Sequence, residues 1–99
     1  MLEFETDFEW DAKKAATNLR KHGVSFEIVR LAFADPNAIV DGELRWLIIG
    51  IVPGRSTMLS VAHLWRESDL RSTIRIISAR RATRSERRIY EDQIGKIND

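Results

Sequence analysis

The chain opens with apolar residues set among acidic ones: Phe4, Phe8 and Trp10 stand beside Glu5, Asp7, Glu9 and Asp11. Near-alternation of this kind predicts a short, half-buried strand. Asp11 is then placed to N-cap a helix over residues 12–21, whose apolar positions Ala12, Ala15, Ala16 and Leu19 recur at i, i+3, i+4 and i+7. Lys21 and His22 put cations into the last turn, and Gly23 supplies a residue able to adopt the left-handed conformation, so the helix stops there. Ser25 caps a second helix with Phe26, Val29, Ala32 and Phe33 facing inward, closed by the turn Asp35-Pro36-Asn37.

The pattern then changes to strands. Ala38 to Val40 is short and turned by Asp41-Gly42. Leu44 to Val52 is apolar with little alternation, which predicts a central strand covered on both faces. Pro53-Gly54 turns it into an antiparallel partner over Thr57 to Trp65. Arg66 to Ser72 reads as a polar loop and Thr73 to Ala79 as a further strand. Thr83-Arg84-Ser85-Glu86 matches a capping box, in which the Thr and Glu side chains each satisfy an otherwise unpaired backbone N–H. The last helix therefore starts at Arg84, with Ala82, Ile89 and Tyr90 toward the sheet. The predicted order β-α-α-β-β-β-β-α describes a single α+β domain: a mainly antiparallel sheet with two N-terminal helices and one C-terminal helix.

Composition narrows the possibilities. Ninety-nine residues, 43% hydrophobic and 31% charged, make one globular domain. No apolar run approaches the roughly 18 residues of a membrane span, and MLEFETDFEW has neither the basic nor the apolar region of a signal peptide. The absence of cysteine excludes disulfides and thiolate chemistry and suits the cytoplasm. The net charge of +1 averages two unlike halves: residues 1–50 carry −3 and residues 51–99 carry +4. Six arginines and one glutamate lie within residues 75–88. Such a field attracts polyanions.

Arginines at a helix start oppose the macrodipole, and a bound phosphate resolves the conflict by accepting from both backbone N–H groups and guanidinium forks. A solvated helix face, paired as Arg87–Glu91 and Arg88–Asp92, is the plainer explanation for part of the segment. It leaves Arg75, Arg80, Arg81 and Arg84 without local partners. His63, three residues before Arg66, has a side chain suited to proton transfer near neutral pH. His22 is explained as a helix C-terminal cation, and with Lys21 it can also contact RNA. Of the three tryptophans, Trp10 and Trp46 sit in apolar strands, whereas Trp65 beside Arg66 suits base stacking. No metal-ligand spacing, phosphate-loop glycine motif or paired-carboxylate spacing is present.

Phe8-Glu9-Trp10-Asp11, with Lys14, Asn18, Lys21-His22-Gly23-Val24 and Phe26, resembles the opening of the BrnT toxin family. Arg75 to Tyr90 is similar to that family's closing signature, so the two motifs bracket residues 8–90. The resemblance implies a RelE-like fold and a ribonuclease toxin of a type II toxin–antitoxin pair. It also implies RNA cleavage without metal or other cofactor, and growth arrest. The implied partners are RNA and a BrnA-like ribbon-helix-helix antitoxin, through which the complex reaches operator DNA and represses its own operon. Carried over by position, Arg80, Glu86 and Arg87 are catalytic, with His63 and Arg66 joining them at a strand end. The charge field, and not the resemblance, makes Arg75, Arg81 and Arg84, with Lys21 and His22, the expected RNA-binding residues. The chain departs from the family pattern at Arg66 to Thr73, which is longer than a short Gly-Asp turn and lacks its glycine.

Two functions remain in view at this point. In an endoribonuclease, Arg80 and Arg87 stabilise a phosphorane, Arg66 and Arg81 position the backbone, and His63 or Glu86 carries the proton. Glu86 also has the competing structural role of a capping-box residue. The alternative is a non-catalytic module that binds nucleic acid or a partner through the arginine-rich segment.

Overall fold

A computed structural model describes residues 5–40 and 46–98. Its centre is one five-stranded sheet ordered β1-β5-β4-β3-β2, formed from Glu5–Glu9 (β1), Ile39–Val40 (β2), Leu47–Ile51 (β3), Met58–Ser68 (β4) and Arg71–Arg81 (β5). The helices are Ala12–His22 (α1), Phe26–Val29 (α2), which continues as a 3₁₀ segment Arg30–Ala34, and Arg84–Asn98 (α3). All pairings are antiparallel except β1 with β5, which is parallel, so the sheet is mixed. Phe4, the Asp41-Gly42 turn and the first two residues of the expected Leu44–Val52 strand lie outside the described residues.

The local signals were sound at the helix ends. The Asp11 carboxylate accepts from the Lys13 and Lys14 amides, and Gly23, at φ 68°, donates its N–H to the Leu19 carbonyl. Ser25 caps α2, and Phe26, Val29, Ala32 and Phe33 are all buried. Thr83 Oγ1 accepts from the Glu86 amide while Glu86 Oε1 accepts from the Thr83 amide, completing the capping box.

Several expectations are corrected. The α1 apolar stripe is not the buried face, since Leu19 is 50% exposed. The inward residue is Asn18, whose amide donates to the Val24 carbonyl and accepts from the Ala79 N–H of β5. This bond satisfies a backbone donor of β5 beyond Arg75, where the pairing with β1 ends. β3 is covered on both faces as expected, but the central strand is β4. Arg66 to Ser72 is not a loop: β4 runs to Ser68, β5 begins at Arg71, and Asp69-Leu70 turns between them. Asp69 takes φ 52°, a conformation that Asp tolerates because its short polar side chain bonds locally. No glycine is needed there. Ile89 points outward, and Ile94 packs beside Tyr90 in its place.

One face of the sheet packs Leu59, Val61, Ile74, Ile76 and Ala79 against α2 and the 3₁₀ segment. Gly50 makes that approach possible, because a Cβ there would lie 2.7 Å from the Ala32 carbonyl oxygen. On the other face Ile49 and Met58 pack against Tyr90 of α3. A buried carboxylate fastens α3 down: Asp35 Oδ2 accepts from the Tyr90 hydroxyl at 2.7 Å and from the Ile51 amide at 2.8 Å.

The pairing of β4 with β5 contains one irregularity. Ala62 opposes Ser78 but His63 opposes Ile76, leaving Ile77 as a bulge. Ile74 and Ile76 before the bulge face the same core as Ala79 after it. The bulge thereby reverses the side-chain alternation and delivers Ser78 and Arg80 to the opposite face.

Candidate nucleic-acid site

Arg80, delivered to that face by the bulge, meets Glu86 from the first turn of α3. Nη1 lies 2.6 Å from Oε1 and Nη2 lies 3.0 Å from Oε2, a bidentate pair. The same carboxylate accepts from the Thr83 amide at 2.8 Å and from the Ser60 hydroxyl at 3.2 Å. The hydrogen bonds from Arg80 hold the Glu86 carboxyl down at about 2, helped by the Thr83 amide and opposed in part by burial. Glu86 in turn raises the pKa of Arg80. An anion so stabilised is a poor base at neutral pH.

Around this pair is a cavity of about 500 Å³ whose wall includes His22, Trp46, Ser60, Ser78, Arg80 and Glu86. His22 and Ser78 also line a neighbouring groove of about 440 Å³ between α1 and β5, together with Lys13, Lys14, Lys21 and Ile77. The two spaces hence meet at His22 and Ser78. Helix α1 brings its cations to this place because Asn18 ties it to β5.

Of the residues expected at the site, Lys21, His22, Arg80 and Glu86 are brought together. His63 is not. It is 3% exposed, edge-on to Phe33 at 5.1 Å, with Nδ1 3.2 Å from the Val61 carbonyl oxygen. A carbonyl only accepts, which places the proton on Nδ1. Burial lowers the His63 pKa, with the Val61 carbonyl opposing in part. This correction follows from the alternation of β4, which turns His63 to the core face with Val61. Arg66 lies on the exposed hairpin and, with Arg75, meets Glu9 across the sheet, at 3.2 and 3.5 Å. Arg80 and Arg75 therefore have partners that local sequence does not supply. Arg81 faces away from Arg80, into a groove with Arg55 and Leu59. Arg84, Arg87 and Arg88 are exposed on α3, and among the described residues none enters an ion pair, so the pairs Arg87–Glu91 and Arg88–Asp92 are not formed.

Sequence reasoning missed Trp46, Ser60 and Ser78. Trp46 reads as core because it opens an apolar run, yet it is 49% exposed and lines the cavity. Trp65 is exposed but lines neither space, and Trp10 packs edge-on against Phe26. Among the described residues no group of three or more His, Asp or Glu is placed to hold a metal ion, and no helix is long and apolar enough to cross a membrane.

The cleft thus holds an imidazole, a guanidinium fixed by a carboxylate and an exposed indole. The particular family is given by comparison: residues 10–86 match the model of the ribonuclease toxin BrnT of type II toxin–antitoxin systems. The chain belongs to that family. No curated protein matches it.

Proposed function

We propose that this protein is a metal-independent endoribonuclease that cuts RNA at the His22–Arg80 cleft, inhibiting translation and growth. The observation that carries this reading is the single cavity shared by His22, Trp46, Ser60, Arg80 and Glu86. In the proposed reaction the ribose 2′-oxygen attacks the adjacent phosphorus and the bond to the 5′-oxygen breaks. The products are a 2′,3′-cyclic phosphate and a 5′-hydroxyl, and the proton leaves the 2′-hydroxyl and ends on the 5′-oxygen. His22 replaces His63 as the proton carrier, since imidazole suits that task and only His22 is accessible. Arg80 faces the charge that develops on the phosphorane oxygens. Glu86 acts as a positioning residue, holding the guanidinium plane. Arg84 and Arg87 present charge to neighbouring phosphates, and Trp46 stacks on a base.

Family membership supports an antitoxin partner. The finer reading is a BrnA-like ribbon-helix-helix antitoxin that neutralises the toxin, represses the shared operon through operator DNA and acts with it in the cytoplasm. A RelE-like fold is part of the same reading, supported by the mixed sheet with a C-terminal helix carrying site residues. One observation favours binding without cleavage instead: Arg80 is already paired with Glu86. Incubating purified protein with RNA under EDTA and mapping the ends separates the two. Cyclic-phosphate and 5′-hydroxyl ends that vanish with Arg80→Ala support the proposal, and intact RNA under saturating protein overturns it.

A further inference from the structure

The groove between α1 and β5 is not needed to explain the Arg80–Glu86 cleft, and its composition calls for a ligand of its own. Lys13, Thr17 and Lys21 are spaced at i, i+4 and i+8, with Lys14 and His22 beside them, so they share one side of α1. The groove they line is about 440 Å³ and no carboxylate contributes to it. Among the described residues none of its three lysines enters an ion pair. The nearest acid in sequence, Asp11, is occupied in accepting the amides of Lys13 and Lys14 at the helix cap.

Helix stability does not account for this arrangement. Lys21 and His22 complement the negative end of α1, but Lys13 and Lys14 stand in its first turn, which holds no acidic residue. Cations there oppose the macrodipole. An ordinary solvated helix would carry Asp or Glu in those positions. Two lysines placed against the dipole and aimed into a groove are suited to an external polyanion.

We infer that the α1–β5 groove is a second phosphate-binding subsite, in which Lys13, Lys14 and Lys21 hold the backbone of single-stranded RNA flanking the cleft. The inference rests on the proposed RNA chemistry of that cleft and extends it. Continuity supports it: the groove and the cavity share His22 and Ser78, so one strand passes from the lysines, across His22, to Arg80. Ile77, the bulged residue, adds an apolar side chain to the lining of the groove. Phosphate contacts of this kind position a strand without reading its sequence.

The test is binding of a 2′-O-methyl oligonucleotide, which cannot be cut, by fluorescence anisotropy at several salt concentrations. Each lysine–phosphate contact to a single strand contributes about 0.7 to the slope of log K against log salt. Lys13→Ala/Lys14→Ala is expected to lower that slope by about 1.4 and weaken binding similarly for all sequences. Lys13→Glu/Lys14→Glu should weaken it further. Both positions are exposed, and circular dichroism confirms that the variants fold. In a parallel assay, cleavage of a dinucleotide too short to reach the groove should be unchanged in the double variant, while KM for a long strand rises. An unchanged slope and affinity overturn the subsite. So does normal RNA binding accompanied by lost affinity for an acidic protein partner, which would make the groove a protein-docking surface. If the wild type binds with the expected slope but leaves unmodified RNA uncut, the cleavage proposal fails and the subsite stands.

Discussion

Arg80 and Glu86 face each other as a fork on a fork, 2.6 and 3.0 Å apart, with all the hydrogen bonds of the carboxylate directed to protein donors. On the proposed mechanism Glu86 serves as a fixed anion and not as the proton carrier. Arg80→Ala is expected to reduce kcat by about 10²–10³-fold, the usual cost of removing a donor to a developing oxyanion. Arg80→Lys should restore only part of this, because an ammonium cannot reproduce the planar fork. Glu86→Gln should lower kcat while leaving the pH dependence near neutrality in place. Disappearance of that pH dependence would show that Glu86 is the titrating group after all.

The two histidines are separated by accessibility. His22→Gln is expected to lower cleavage by about 10²–10⁴-fold, the range of a general acid or base. His63→Phe should cleave within a few-fold of wild type, since the ring packs against Phe33 inside the core. Single-turnover cleavage of one oligonucleotide by both variants checks this. A result in the opposite order would return His63 to the chemistry.

Acid should weaken the fold in two windows. The His63 pKa lies below its ordinary 6.5, so the unfolded chain takes up the proton first. The stability linked to His63 is complete above about 6.5 and is lost as the pH falls through the depressed folded value. The Glu86 pKa is lowered from 4.5 to about 2, so its contribution is complete above 4.5 and is lost between those values. Urea unfolding across this range should show His63→Phe flattening the upper window and Glu86→Gln the lower one.

Tyr90→Phe removes the hydroxyl that donates to the buried Asp35 carboxylate at 2.7 Å. Unfolding free energy should fall by about 1–3 kcal/mol, the cost of leaving a buried acceptor short of a partner. Tyr90 is one helical turn beyond Glu86, so hydrogen exchange in the first turns of α3 should rise with it. Urea denaturation and amide exchange measure the two effects.

What the sequence disclosed was whatever depends on near neighbours. The Asp11 and Gly23 helix ends, the buried set of α2 and the Thr83–Glu86 capping box all follow from residues a few positions apart. What it hid depends on partners far along the chain. Glu9 meets Arg66 and Arg75 from 57 and 66 residues away, and β1 lies parallel to β5, which no local pattern reports. Asp69 conceals a hairpin turn because it takes a left-handed conformation that glycine usually marks. His63 looked available because the orientation of a strand residue is set by its register, which one sequence does not print. At the site, Lys21, His22, Arg80 and Glu86 were legible from charge, capping and family resemblance. Trp46 was not, since its apolar neighbours suggested a core position.

The bulge at Ile77 gives the length of β5 a meaning separate from its composition. Arg80 and Arg81 are chemically identical, and it is Arg80 that faces the cleft, with Arg81 toward a different groove, because Ile77 stands outside the ladder. Drawing Ile77 into the ladder, so that every later residue of β5 slips by one place, would exchange the two without changing any charge. The protein chooses its cleft arginine by counting.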